Sequence, residues 1–325
     1  MRAIRVEQFG GPEVLVEREL PDPQPGAGEL LVRIEAVGVN FIDTYFRSGL
    51  YPRELPFTLG QEAAGVVVAV GPDQPEGIVF SPGDRVAWSD GGSGGYATEA
   101  IVKTARAVAV PDGLSPEVAA SALLQGMTAH YLAHSTYPIR SGDTVLVHAG
   151  AGGVGLLLTQ MAVAAGGRVI TTVSTDDKEK LSREAGASDV LRYGPDLADR
   201  VRELTDGIGV NAVYDGVGAP TFDASLASLK VRGTLALYGA AGGPVPPVDP
   251  QRLNAAGSVY LTRPTLANYT ADRAELEERA NDVLTAIVEG RLQLRVGETY
   301  PLADAARAHT DLQARRTTGS VVLVP

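Results

Sequence analysis

The spacing of apolar and polar positions along this chain changes period twice. Residues 2–6, 14–19, 30–37, 63–70, 85–88 and 96–101 are short apolar or alternating runs. Turn-forming stretches separate them: Gly10-Gly-Pro12, residues 21–28, 71–75 and 91–95. A period of two puts one face of each run against a core, so the first 110 residues are expected to form a β-rich, partly open barrel or sandwich. Pro111-Asp-Gly113 closes that region. From Ser115 the period becomes helical. Ser115 suits an N-cap and Pro116 and Glu117 suit the first helical turn. The helix is predicted to reach about residue 133, and its apolar character on most sides predicts burial.

Strand and helix patterns then alternate. Strands are expected at 144–148, 168–173, 189–191, 210–214, 234–237 and 258–261. Helices are expected up to residue 165, up to about 185, near 197–205 and around 221–229. That alternation predicts a parallel, doubly wound α/β sheet. After Pro264 come a helix at 274–289, a strand at 296–299, a helix at 303–313 and a last strand at 320–324.

Composition narrows the class. A length of 325 residues favours two domains, and 44 % hydrophobic with 21 % charged residues is an ordinary globular mix. Cysteine is absent, so disulfides, thiolate metal sites and thiol nucleophiles are excluded. The net charge of −11 repels phosphate backbones, and Arg315-Arg316 is a pair rather than a basic patch. No nucleic-acid partner is expected. There is no leader pattern and no apolar run of membrane-spanning length, so a soluble cytoplasmic protein without a membrane partner is the expectation.

The chemistry is announced by Gly150-Ala-Gly-Gly-Val-Gly155, which follows the strand at 144–148 and opens a helix. In that context the glycines are a dinucleotide fingerprint. Gly150 makes the turn, Gly152 lets backbone N–H groups approach a pyrophosphate, and Gly155 allows close helix–strand packing. The end of the next strand distinguishes the cofactors. An NAD site puts Asp or Glu there for the ribose 2′-hydroxyl. Here Ser174 and Thr175 stand at that point, followed by Asp176, Asp177 and Lys178. A neutral serine leaves room for a 2′-phosphate and Lys178 can pair with it, so NADPH is expected. The two aspartates fit equally as negative charge at a helix N-terminus.

Gly38-Val-Asn-Phe-Ile-Asp-Thr-Tyr-Phe-Arg-Ser-Gly-Leu-Tyr-Pro52 resembles the signature of the NADPH-dependent, zeta-crystallin-like quinone oxidoreductases, a zinc-free branch of the medium-chain dehydrogenase/reductase superfamily. Gly60-Gln-Glu-Ala-Ala-Gly65, Gly83-Asp-Arg-Val86, Gln125-Gly-Met-Thr-Ala129, Tyr214-Asp-Gly-Val-Gly218, Leu261-Thr-Arg-Pro264 and Thr318-Gly-Ser320 agree with it. The resemblance spans the whole chain. It implies a GroES-like β-rich catalytic domain made of residues 1–120 and 265–325, with the Rossmann NADPH-binding domain, 121–264, inserted between them. It also implies a homodimer joined through the strand at 258–261. Zinc members carry Gly-His-Glu where this chain has Gly60-Gln61-Glu62, so a zinc-assisted alcohol dehydrogenation is not expected. The acceptor must take hydride without a Lewis acid, as quinones and activated alkenes do.

Carried over by motif, Phe41, Ile42, Asp43, Thr44 and Tyr45 line the nicotinamide and acceptor region. Asn40 supplies an amide for the carboxamide or the acceptor oxygen. Tyr45 and Tyr51 offer aromatic faces and phenolic donors to a flat quinone, with a packed core aromatic as the plainer reading. Asp43 either orients neighbours or caps a short helix. Thr128 faces the nicotinamide. Gly152, Gly153, Val154 and Gly155 present backbone to the pyrophosphate. Ser174, Thr175, Lys178 and Tyr193 form the 2′-phosphate pocket, with Arg315 as a further anchor or a solvated surface arginine. Val217 and the run Tyr238, Gly239, Ala240 and Ala241 pass near the nicotinamide half, and Pro264, Thr265 and Leu266 lie near its amide. Thr262 and Arg263 approach the acceptor, with Arg263 stabilising charge on a reduced oxygen.

Among the histidines, His130 and His134 have a metal-compatible spacing but no third ligand by sequence. His148 reads as a packed core residue and His309 as a surface residue. The proton for a hydroquinone is expected from water or Tyr45. Two other functions fit the same scaffold: a 2-alkenal or enoyl reductase, and a non-enzymatic NADPH- or RNA-binding role. Thioester-reducing relatives carry Asn-Pro-Ser-Asp where this chain has Asn40-Phe-Ile-Asp43, which favours the quinone.

Overall fold

The computed structural model describes residues 1–92 and 94–325; residue 93, in the turn expected at 91–95, lies outside the described residues. The chain divides into two compact units. One comprises Met1–Met127 and Thr270–Pro325, the other Thr128–Tyr269.

The first unit opens with β1 (Arg2–Val6), β2 (Leu15–Glu19) and β3 (Glu29–Val39). Next come α1 (Phe41–Ser48), β4 (Phe57–Thr58), β5 (Glu62–Val70), β6 (Arg85–Ser89), β7 (Glu99–Lys103) and β8 (Val108–Ala109). Helix α2 (Pro116–Tyr131) starts in this unit. In the second unit a π-helical turn (Leu132–Thr136) follows α2, ahead of β9 (Thr144–Val147) and α3 (Gly153–Ala164). Then come β10 (Arg168–Val173), α4 (Asp176–Glu184), β11 (Asp189–Arg192), α5 (Leu197–Glu203), β12 (Val210–Asp215) and α6 (Phe222–Ser228). The unit closes with β13 (Leu229–Leu237), α7 (Gln251–Ala255), β14 (Tyr260–Thr262) and α8 (Leu266–Tyr269). The tail adds α9 (Arg273–Val288), β15 (Val296–Pro301), α10 (Ala305–Gln313) and β16 (Ser320–Val324).

In the first unit, β2, β1 and β4 form a three-stranded sheet, and a larger sheet runs β15-β16-β3-β5-β6-β8 with β7 also on β3. The last strand therefore sits beside β3, antiparallel to it, with Val321 opposite Val39. One apolar core joins both ends of the chain, from Ile4, Val32 and Trp88 to Leu302, Ala305 and Val321. Burial of that many aliphatic side chains, about 1.5–3 kcal/mol each, is what holds the tail in place.

In the second unit the order is β11-β10-β9-β12-β13-β14, and every pairing is parallel. The order reverses direction between β9 and β12, the switch point where an open α/β sheet takes its ligand at the strand C-termini.

Several local expectations are corrected. The short helix expected around Asp43 is not among them: α1 begins at a capping box between Asn40 and Asp43 and ends at Gly49, whose φ of 79° places it in the left-handed region. The strand expected from Tyr96 starts only at Glu99, because the Tyr96 backbone bonds to Leu59 and Ile4 rather than to β3. The strand expected at 234 starts at Leu229. The α2 helix stops two residues short of 133 and continues as a π turn. His309, read as a surface residue, is completely buried. It belongs to the inner stripe Ala305, Ala308, His309 and Leu312 of α10, a helical spacing visible in the sequence.

Candidate active site

The glycine turn lies in the second unit between β9 and α3. A Cβ at Gly150 would come 2.6 Å from Thr171 Cβ, and one at Gly155 would come 2.3 Å from Ala149 O. Both positions are closed to any larger residue. Gly152 differs: its nearest neighbour to a Cβ is a single atom, Ala149 O at 3.3 Å. Apart from that tight contact nothing lies within 4 Å of the added atom, and α3 starts at the next residue. A glycine cradle opening a helix fits a pyrophosphate.

A buried polar cluster braces the ends of the three central strands. His148 Nδ1 lies 2.9 Å from Thr172 Oγ1, and its Nε2 lies 2.9 Å from Ser225 Oγ. Ser225 donates its one hydroxyl hydrogen to Asp215 Oδ2 at 2.7 Å, so it accepts from His148 Nε2–H. Nδ1 then accepts from Thr172. Asp215 Oδ1 takes the backbone N–H groups of Val217 and Gly218, fixing that turn. Burial lowers the His148 pKa, which keeps the ring neutral. His148 is thus the core residue expected from the sequence, with a positioning role that the sequence did not disclose.

At the end of β10, Ser174 and Thr175 are exposed, and Thr175 caps α4 by accepting from Lys178 N–H at 3.3 Å. Parallel pairing sets Val173 opposite Arg192, so Tyr193 also arrives here. The Tyr193 hydroxyl accepts from Ala149 N–H at 3.0 Å, and its ring stacks near His148. Ser174, Thr175, Lys178 and Tyr193 therefore surround the tips of neighbouring strands. Arg192, absent from the expected set, joins them. The strand pattern ends at 191 in the sequence, which hid it.

Elsewhere in this unit, Gly239 packs on Gly216, where a Cβ would come 2.5 Å from Gly216 O, and Val217 is buried beside that turn. Tyr238, Ala240 and Ala241 are half-buried. Thr128 is nearly buried and hydrogen-bonds Tyr131, whose ring stacks on Tyr269 at 4.3 Å. Arg263 is exposed and donates to Pro264 O; Pro264 is buried, Thr265 exposed and Leu266 half-buried. His130 and His134 rings lie 4.5 Å apart.

In the first unit, α1 carries the acceptor-side residues. Phe41 and Ile42 are half-buried, whereas Asp43, Thr44 and Tyr45 are buried. Tyr45 and Tyr51 meet edge to face at 5.3 Å, bringing together the two expected tyrosines. The Asn40 amide is already engaged: Nδ2 donates to Glu62 Oε2 at 2.9 Å and Oδ1 accepts from Gln125 Nε2 at 3.0 Å. Gln125 Oε1 in turn accepts from Ser320 Oγ at 2.8 Å. Glu62 Oε1 accepts from Leu124 N–H at 2.7 Å. Asp43 Oδ2 accepts from Asn40 N–H at 2.8 Å and from the Tyr96 hydroxyl at 3.2 Å, so it both caps α1 and orients its neighbours. Burial pushes the Asp43 carboxyl up to about 7 and the Glu62 carboxyl up to about 8. Arg315 is exposed, with φ of 58°.

Residues 26–112 match the family described as alcohol dehydrogenase GroES-like domain, and residues 153–281 match zinc-binding dehydrogenase. A quinone oxidoreductase of Pseudomonas aeruginosa is 44 % identical over 100 % of this chain and 99 % of its own. The chain belongs to the quinone oxidoreductase family of the medium-chain dehydrogenase/reductase superfamily. A 2-haloacrylate reductase of a Burkholderia species is 39 % identical, covering 98 % of each chain. Among solved structures, mycobacterial Rv1454c complexed with NADPH superimposes with a TM-score of 0.98 at 61 % identity, covering both chains completely. The fold is that of the family: a GroES-like β-rich region and a parallel Rossmann sheet. No helix among the described residues is long and apolar enough to cross a membrane.

Proposed function

We propose that this protein is an NADPH-dependent quinone oxidoreductase that reduces its acceptor by direct hydride transfer without a metal. The observation that carries the reading is identity to a quinone oxidoreductase along the whole chain, with the glycine cradle intact. When bound, NADPH supplies a hydride from its nicotinamide ring.

The chain's own residues bind and orient. Gly152, Gly153, Val154 and Gly155 hold the pyrophosphate, and Ser174, Thr175, Lys178 and Tyr193 receive the 2′-phosphate. Arg315 is a further anchor. Val217, Tyr238, Gly239, Ala240, Ala241, Thr128 and the run Pro264, Thr265 and Leu266 frame the nicotinamide half. Phe41, Ile42, Thr44, Tyr45 and Tyr51 form the wall for a flat acceptor. Asn40, through both amide atoms, and Asp43, through Oδ2, are hydrogen-bonded inside the unit and hold that wall in place. Arg263 offsets charge on a reduced oxygen, and Tyr45 or water completes the product with a proton. Positioning then carries most of the catalysis.

The protein is read as cytoplasmic. It is also read as a homodimer through β14, the edge strand of the parallel sheet, on which Tyr260 is 63 % exposed. A reductase of activated alkenes is the second reading, favoured by the similarity to 2-haloacrylate reductase. NADPH oxidation measured in parallel with 1,4-benzoquinone, 9,10-phenanthrenequinone, 2-chloroacrylate and crotonyl-CoA separates them. Turnover with the quinones well above the alkenes supports the first reading; the reverse order replaces it with the second.

A further inference from the structure

Helix α4 contains four acids, Asp176, Asp177, Glu179 and Glu184, and three bases, Lys178, Lys180 and Arg183. Taken alone they leave an excess of one negative charge, which does not attract the dianionic 2′-phosphate of NADPH. The fourth cation comes from the neighbouring strand. Arg192 Nη2 donates to Asp176 Oδ1 at 2.6 Å and lies 2.8 Å from Glu179 Oε2. Both carboxylates belong to the first turn of α4, so the guanidinium rests over the tip where the 2′-position is read. Asp176 is therefore already claimed and does not serve a ribose hydroxyl as the acid of an NAD site does.

The guanidinium is only partly satisfied. Arg192 Nη1 is buried and has no hydrogen-bond partner among the described residues. A buried, charged donor without a partner is costly, and it points to an acceptor that arrives later. Asp176 is fully exposed, so its carboxylate gives up the pairing at small cost. Glu179 is held from the other side by Arg183 at 2.7 Å and stays.

The geometry points to Arg192 as a cofactor-specificity residue: its guanidinium takes the 2′-phosphate of NADPH on both Nη atoms, Nη1 being unpartnered and Nη2 being given up by Asp176. The inference rests on the NADPH reading above. A guanidinium fork facing a phosphate is a strong, charge-assisted contact, and Lys178 alone supplies only a point charge.

The test measures Kd for NADPH and NADH by fluorescence titration, with 2′,5′-ADP and 5′-AMP as half-site probes. In Arg192→Gln the Kd for NADPH and 2′,5′-ADP rises roughly tenfold, while NADH and 5′-AMP change by less than about twofold. Arg192→Lys falls between, and Asp176→Asn tightens NADPH with NADH unchanged. An unchanged NADPH/NADH ratio in Arg192→Gln overturns the role of Arg192. So does an equal weakening of both cofactors, which makes the side chain a brace for α4. If the unaltered protein binds NADH as tightly as NADPH, the NADPH reading falls, and the Arg192 role with it.

Discussion

Arg47 and His309 stand 262 residues apart in the chain, yet Nη1 of the arginine lies 3.0 Å from Nδ1 of the histidine. Arginine only donates, so Nδ1 accepts and the proton sits on Nε2, which faces the Tyr96 hydroxyl at 2.9 Å. Tyr96 then donates to Asp43. One directed chain therefore runs from the tail helix α10 to the N-terminus of α1, the helix carrying Tyr45. Replacing His309 with Leu leaves Arg47 and Tyr96 short of a partner. The expected loss is about 2–4 kcal/mol of unfolding free energy, read by urea denaturation. His309→Asn, which can still accept from Arg47, loses less. Equal stability of the Leu variant and the unaltered protein would contradict the network.

The buried acids set the pH dependence of stability. Asp43 and Glu62 have native pKa values raised to about 7 and about 8, against ordinary values of 3.8 and 4.5. The native state thus holds protons that the unfolded chain has lost, and their contribution disappears as pH rises through 7 to 8. His309 and His148 work the other way. Burial lowers His309 to about 3 and lowers His148 as well, so below 6.5 the unfolded chain takes up two protons that the native state refuses, against the two held by Asp43 and Glu62. Stability should rise from pH 8 to about 6.5, with a slope of up to about 1.4 kcal/mol per pH unit for each proton, and stop rising below that. Urea midpoints across pH 5–9 check this. Glu62→Gln should flatten the slope above pH 7, and an unaltered slope there would show that Glu62 is ionised.

Gly38 and Gly155 are expected to be intolerant for different reasons. A Cβ on Gly38 would meet Ala120 O at 2.4 Å and Glu62 Oε2 at 2.5 Å, both inside the first unit. Gly38→Ala should cost stability by about 1–3 kcal/mol, an overpacking effect. A Cβ on Gly155 would meet Ala149 O in the glycine turn. Gly155→Ala should weaken NADPH and NADH alike, read by titration, because it disturbs the shared pyrophosphate cradle rather than the 2′-end. Selective loss of NADPH would misplace that cradle.

Much of this was legible from residue spacing. The alternation located the parallel strands, to the residue at 168–173, where a buried β-branched run follows two glycines, but five residues late at β13. The pairing of β16 with β3 was not readable from periodicity, since nothing local distinguishes a strand that returns to the first unit from one that extends the second. The site divides in the same way. Glycines and the Ser174–Lys178 stretch are local signals. Arg192, Glu62, Tyr96 and His148 act through partners 13 to 213 positions away, and a single sequence does not show those distances.

Lys178 and Tyr45 test the two ends of the reaction. If the Lys178 ammonium pairs with the 2′-phosphate, Lys178→Ala should raise Kd for NADPH by roughly tenfold and leave NADH within about twofold. Tyr45→Phe keeps the edge-to-face packing on Tyr51 and removes the hydroxyl. If Tyr45 supplies the proton, kcat falls in the variant and its pH profile shifts while KM for the quinone holds. If water supplies it, kcat is unchanged.

The most direct measurement is single-turnover reduction of 9,10-phenanthrenequinone by the protein loaded with NADPH, compared with NADPH deuterated at the transferred C4 position. Direct hydride transfer predicts that NADPH loss and quinone loss follow one time course, and that deuterium slows both several-fold. Loss of NADPH without loss of quinone, or no turnover beside tight NADPH binding, would contradict the account and leave a binding protein on an oxidoreductase fold.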